Sequence, residues 1–268
     1  MRDADRLKEQ TIRDFGDQWT RYRESDGYFG SAELLRDIVE PLVPVEELRG
    51  KRVAEIGSGA GRIVNMLLDA GASHIIAVEP SAAFNVLREK VRNPAAVTLL
   101  NVTGEQLPPH GDLDVVASIG TLHHIPEPAP VVHAAFEALR HGGKMLIWVY
   151  GREGNETYLA WAEPLRAVTR RLPHPILAGI VWLLYPLLAA YIRLARRCDI
   201  PLRRYVNNYL AKLSPKQRRL VVYDQLKPAY AKYYTGDEAR SLLTTAGFVN
   251  VRVHHRHGYS WTVIGERP

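Results

Sequence analysis

The chain has 268 residues, 46% hydrophobic and 24% charged, with a formal net charge of +6. That length fits one large domain or a core with an elaboration, and that balance excludes fibrous and disordered classes. Cys198 is the only cysteine, so no intrachain disulfide can form; no Cys/His spacing typical of structural zinc is present, and no metal is expected.

The opening stretch, MRDADRLKEQTIRDF, is charged and lacks an apolar h-region, so a cytoplasmic location is expected. Residues 1–48 read as a helical cap with an aromatic series at Phe15, Trp19, Tyr22, Tyr28 and Phe29. Phe15 and Trp19 stand at i and i+4, which suits either core packing or the lining of a pocket. Trp19, Tyr22 and Tyr28 are taken as candidate substrate contacts, the tyrosines ahead of Phe15 because each offers a hydroxyl.

Residues 51–150 alternate strand and helix patterns. Strands are expected at 51–56, 74–79, 97–101, 112–119 and 144–150, with helices near 62–69, 82–91 and 129–140, and the third helix closing on a C-cap at His141-Gly142-Gly143. Alternation of this kind argues for a mostly parallel sheet with helices on both faces. The first strand runs into VAEIGSGAGR, with Glu55, Gly57, Gly59 and Gly61, and the second ends in Glu79-Pro80. Glycines at such a turn let backbone approach a nucleoside, and the acid after the second strand can accept hydrogen bonds from ribose hydroxyls. Glu55 would repel a pyrophosphate but suits a ligand carrying an ammonium group.

These motifs resemble those of the class I S-adenosylmethionine-dependent methyltransferases, and the resemblance covers 51–150 and 235–268, about half the chain. It implies S-adenosylmethionine as cofactor, held by Glu55, Gly57, Gly59, Gly61, Glu79 and Pro80. Thr103, Gly104 and Glu105 stand in the third motif, with Thr103 where the family often has an aspartate. Ser118 opens the fourth, Ser118-Ile119-Gly120-Thr121-Leu122-His123-His124-Ile125-Pro126, which is similar to the Leu-His-His segment of the small-molecule branch. His123 and His124 are the catalytic candidates: an imidazole at a strand's C-terminal edge could deprotonate an acceptor hydroxyl, or could cap the following helix while alignment alone drives transfer.

The pattern breaks after Gly151 and resumes near Thr235 with a helix and two further strands. The expected architecture is a core of 49–151 and 233–268 in a seven-stranded Rossmann-like α/β sheet, with 152–232 as a helical insertion or lid. Asp224 to Tyr230, followed by Tyr233-Tyr234, reads as acceptor contacts or as core, and Tyr230 is the candidate among them. Strand alternation puts His254 on the opposite face from His255 and His257, which disfavours a metal reading.

The insertion holds 15 Lys+Arg against 5 Asp+Glu, while the remainder holds 20 against 24. Residues 172–192 carry no formal charge with His174 neutral. Pro175 and Pro186 are expected to interrupt a helix there, and arginines flank the run on both sides. A single membrane crossing would separate halves of one sheet. The readings left are a buried lid or an interfacial segment touching a membrane surface through 172–197; nucleic acid is disfavoured because aromatic interleaving is missing. The expected function is methylation of a small lipophilic acceptor, most simply on oxygen. The alternatives are carbon methylation of a quinone-like ring and a non-catalytic cofactor-binding scaffold; oligomeric state is open.

Overall fold

The computed structural model describes residues 3–227 and 229–268; Pro228, within the stretch singled out at 224–230, lies outside them. Helices α1 (Asp3–Arg21) and α2 (Ala32–Val39) precede the alternating core: β1 (Arg52–Ile56), α3 (Arg62–Asp69), β2 (His74–Val78), α4 (Ala83–Lys90), β3 (Val97–Leu100), β4 (Leu113–Ile119), α5 (Ala129–Ala138) and β5 (Leu139–Tyr150). Then come α6 (Glu156–Thr169), α7 (His174–Ala195), α8 (Arg203–Asn208) and α9 (Pro215–Leu226), and the chain closes with α10 (Gly236–Thr244), β6 (Val249–Arg256) and β7 (Ser260–Glu266).

Among the described residues the strands form one seven-stranded sheet in the order β3-β2-β1-β4-β5-β7-β6. β1 to β5 pair in parallel, and β7 runs antiparallel to both β5 and β6. From β1 the sheet grows one way through β2 and the other way through β4. The crossovers therefore diverge, leaving a crevice at the C-terminal ends of β1 and β4.

The strands are apolar on both sides because both faces are covered. Val53, Ile75 and Ala77 pack into one core with residues of α2 and α3, while Ala54, Ile56, Ile76 and Val78 face α5 and α10. The expected C-cap at His141-Gly142-Gly143 is not there. α5 ends at Ala138, and Leu139 is already extended and paired with Leu113. The register then shifts so that Val115 meets Lys144, and the intervening residues loop out, with the Gly142 N–H donating to the Arg267 carbonyl at 2.9 Å.

α7 also departs from expectation, running unbroken through both prolines. Pro175 falls in the first turn, where no intrahelical bond is lost. Pro186 and Trp182, whose carbonyl it leaves without a helical donor, both lie on the exposed side. The helix buries one face only, Leu177 and Val181 sitting against Tyr223 and Leu226 of α9. The buried-lid reading thus holds for that face and fails for the other.

Candidate active site

The crevice is the mouth of a cavity of about 500 Å³, within the range of small-molecule sites. Its floor is the loop after β1. Gly57 adopts φ +84, and a Cβ there would lie 2.2 Å from Thr121 Oγ1; a Cβ on Gly59, at φ +52, would lie 3.2 Å from Trp19 Nε1. The loop is pinned from β2: the Gly59 N–H donates to Glu79 Oε2 at 2.7 Å, and Glu79 Oε1 accepts from the Ser81 N–H and hydroxyl. Oε2, with a single donor, retains a lone pair with which to accept from a ligand hydroxyl, while both lone pairs of Oε1 are used by Ser81. Pro80, Thr103, Gly104 and Glu105 line the same side. The Thr103 hydroxyl, however, donates to Gln106 Oε1 at 3.0 Å in a capping box, and Glu105 pairs with Lys8 of α1.

Glu55, predicted with Gly61 to contact the cofactor, sits fully buried beneath this floor, and neither residue lines the cavity itself. The Ser58 hydroxyl donates to its backbone carbonyl at 3.1 Å, and both carboxylate oxygens are without a hydrogen-bond partner among the described residues. Burial, with a smaller contribution from the Glu79 charge, pushes its carboxyl up to about 8. A buried acid without partners favours a cation above it.

The far wall is aromatic and polar. Tyr150, at the C-terminal end of β5, donates to Asp224 Oδ2 at 3.1 Å, and Gln18 of α1 donates to Asp224 Oδ1 at 2.9 Å. Gln225 donates to the Tyr150 oxygen and accepts from Tyr158 and Tyr233, while Arg166 donates to the Gln225 carbonyl and to the Tyr233 hydroxyl. The network ties α1, β5, α6 and α9 into one wall, each side-chain group satisfied by the next. Leu184 and Leu188 of α7 contribute to the apolar roof. Arg62 also faces the cavity, its guanidinium over the Phe29 ring and donating to the Phe29 carbonyl.

The paired histidines part company. His124 lines the cavity, its ring 4.6 Å from that of Phe15, with Nδ1 2.9 Å from the Tyr230 carbonyl oxygen. A carbonyl only accepts, so Nδ1 carries the hydrogen and a neutral ring presents Nε2 as a lone pair. Burial lowers the His124 pKa, against an opposing pull from the Asp224 carboxylate, which would steady an imidazolium formed there. His123 is turned away, 0% exposed and packed 3.8 Å from the Tyr150 ring; burial drives its pKa well below the ordinary value. It supports its neighbours and does not reach the cavity.

Further expectations are corrected by placement. Ser118 is fully buried, its hydroxyl directed to the Ile56 carbonyl within the sheet, and does not line the cavity. Tyr22 packs on Tyr223 and His174, Tyr28 sits against Tyr209, and Tyr230 contributes its carbonyl to His124. None of the three lines the cavity, because α1 directs Phe15, Gln18 and Trp19 inward and ends before Tyr22. Trp19 lines the cavity. Sequence reasoning left Phe15 between core and pocket lining and gave Gln18, Arg62 and Tyr150 no role; of those three only Tyr150 carried a usable signal, its position at the end of a strand bordering the crevice.

Residues 54–147 match the family described as a methyltransferase domain. Over those residues the chain carries a methyltransferase domain. A tRNA U34 carboxymethyltransferase of Shewanella pealeana is 30% identical over 122 residues, 44% of this chain and 37% of that protein. One from a second Shewanella species is 26% identical over 178 residues, 65% of this chain and 51% of that one. The chain thus spans about half or less of the length of these curated relatives. Among solved structures, the Synechocystis magnesium protoporphyrin IX methyltransferase with bound S-adenosylhomocysteine superposes over 100% of both chains, with a TM-score of 0.56 and 16% identity. Human N-acetylserotonin methyltransferase gives 0.50 and 11%, over 87% of this chain and 51% of that one. Likeness at this level speaks to the fold of the methyltransferase domain and not to its acceptor. The tRNA in the relatives' names leaves the exclusion of nucleic acid without support.

Proposed function

We propose that the protein is an S-adenosylmethionine-dependent methyltransferase acting on a small lipophilic acceptor, with oxygen as the methylated atom. The observation that carries this reading is one continuous cavity running from the glycine loop to a tyrosine-lined, leucine-roofed pocket, with the Nε2 of a neutral His124 available on its wall. The cofactor side fits the group: Glu79 Oε2 can accept from a ribose hydroxyl, unpartnered Glu55 favours a cationic ammonium, and Arg62 can meet a carboxylate. When bound, S-adenosylmethionine supplies a methyl group on a sulfonium, open to in-line displacement. The chain's own residues do the rest. α1 closes over the floor through Phe15 and Trp19 and excludes water, and His124 Nε2 takes the acceptor proton while Asp224 stabilises the resulting imidazolium.

The relatives' names and the basic insertion favour a second reading, an RNA acceptor. Incubation with methyl-labelled S-adenosylmethionine and either a total lipid extract or total tRNA separates the two. Label in the organic phase, on an oxygen by fragment mass spectrometry, is the expected result; label in tRNA alone overturns the lipophilic acceptor, and label on a ring carbon overturns the assignment to oxygen.

A further inference from the structure

The outer face of the insertion is apolar and bare. On α6, Trp161, Leu165 and Val168 are 79%, 47% and 61% exposed, at i, i+4 and i+7, which puts them on one side of that helix. On α7, Ile176, Leu183, Leu187 and Leu194 form a second stripe by the same spacing, Leu183 being 79% exposed, and Trp182 borders it under the Arg219 guanidinium. α7 is also long and apolar enough to cross a membrane by length and composition. A crossing does not fit the fold, since β6 and β7 return to the sheet that β1 begins.

The surrounding charge is of one sign. From residue 164 to residue 198 the chain has no Asp or Glu. Arg170 and Arg171 stand before α7, Arg193 at its end, and Arg196 and Arg197 just beyond, all exposed. Among the described residues none of these arginines has a carboxylate within ion-pair distance, in contrast to Lys212 and Lys216, which pair with Glu33 and Glu24. Apolar stripes with interfacial tryptophans and unpaired arginines at the margins match a leaflet containing anionic phospholipid, in chemistry and in charge. The same face meets the cavity: Leu165 and Leu184 both line it and are exposed.

We propose that the α6–α7 face lies in the surface of an anionic lipid leaflet, with the cavity mouth at Leu165 and Leu184 opening into the acyl region, so that the acceptor enters from the lipid. The entry of the acceptor rests on the methyltransferase reading; the docking does not, and it is tested without turnover. The full chain should co-sediment with phosphatidylglycerol vesicles at low salt, bind phosphatidylcholine vesicles far less, and release as salt shortens the screening length. Leu183→Ser with Leu187→Ser, both outside the cavity lining, should weaken vesicle binding by about tenfold or more and leave S-adenosylhomocysteine affinity and thermal stability unchanged. Replacing Arg193, Arg196 and Arg197 by Gln should cost about a hundredfold and flatten the salt dependence. On the unaltered protein, phospholipids brominated near the headgroup should quench tryptophan fluorescence. Wild type that ignores phosphatidylglycerol vesicles at low salt overturns the proposal. So does a chain that is dimeric in solution and becomes monomeric in the leucine variant, because the face then belongs to a second copy.

Discussion

The floor of the cavity and its roof are built by different means. The floor is backbone: strand ends deliver the Gly57–Gly61 loop, Glu79 and the Thr103–Glu105 turn, and the Gly59 N–H is tied to Glu79 at 2.7 Å. The roof and far wall are side chains gathered from α1, β5, α6, α7 and α9, held by a tyrosine, glutamine and arginine network and covered by leucines whose neighbours face solvent. A floor of this kind tolerates little change and can serve many acceptors. A roof of this kind can be rebuilt, and it decides which acceptor enters.

Substitutions on each side should separate the two roles. The largest effect is expected where wall and floor meet: His124→Ala should lower the single-turnover rate by about 10²–10⁴ with S-adenosylhomocysteine affinity retained. Because burial lowers the His124 pKa, the acidic limb of the wild-type rate profile should lie below pH 6.5 and vanish in the variant. A loss of only a few-fold would make catalysis positional. Next, Gly57→Ala should cost about 2–4 kcal/mol of stability, from its positive φ and the collision with Thr121, and thermal unfolding would show it.

A pH titration of stability addresses Glu55. The native state holds a proton that the unfolded chain releases near the ordinary value of 4.5, and the buried carboxyl releases its own at about 8. Stability therefore falls as pH rises between those values, by an amount on the order of 5 kcal/mol over the whole interval, and Glu55→Gln should flatten that slope. The smallest effect on the floor is expected from Glu79→Ala, about 1–3 kcal/mol in cofactor affinity, measured by calorimetry.

The same contrast explains what could be read in advance. A strand carrying Glu55 and followed by three glycines is local chemistry at fixed spacing, and the α3 bounds and the sheet class followed from it. Tyr22 and Tyr28 were misplaced because a hydroxyl is a property of a residue, whereas facing the cavity depends on where α1 ends and which side it presents. His123 and His124 are adjacent and chemically identical, and only the packing of Tyr150, Phe15 and the Tyr230 carbonyl separates a buried ring from one on the cavity wall. Pro186 stopped no helix because its missing bond falls on the exposed side.

The most direct measurement is calorimetric titration of the full chain with S-adenosylhomocysteine near pH 7, in two buffers of different ionisation enthalpy, beside NAD as control. Binding to S-adenosylhomocysteine alone is expected, with net proton release as the ligand's ammonium draws Glu55 toward its charged form, and with that release absent in Glu55→Gln. No binding, or comparable affinity for NAD, would contradict the assignment of this cavity to a methyl donor.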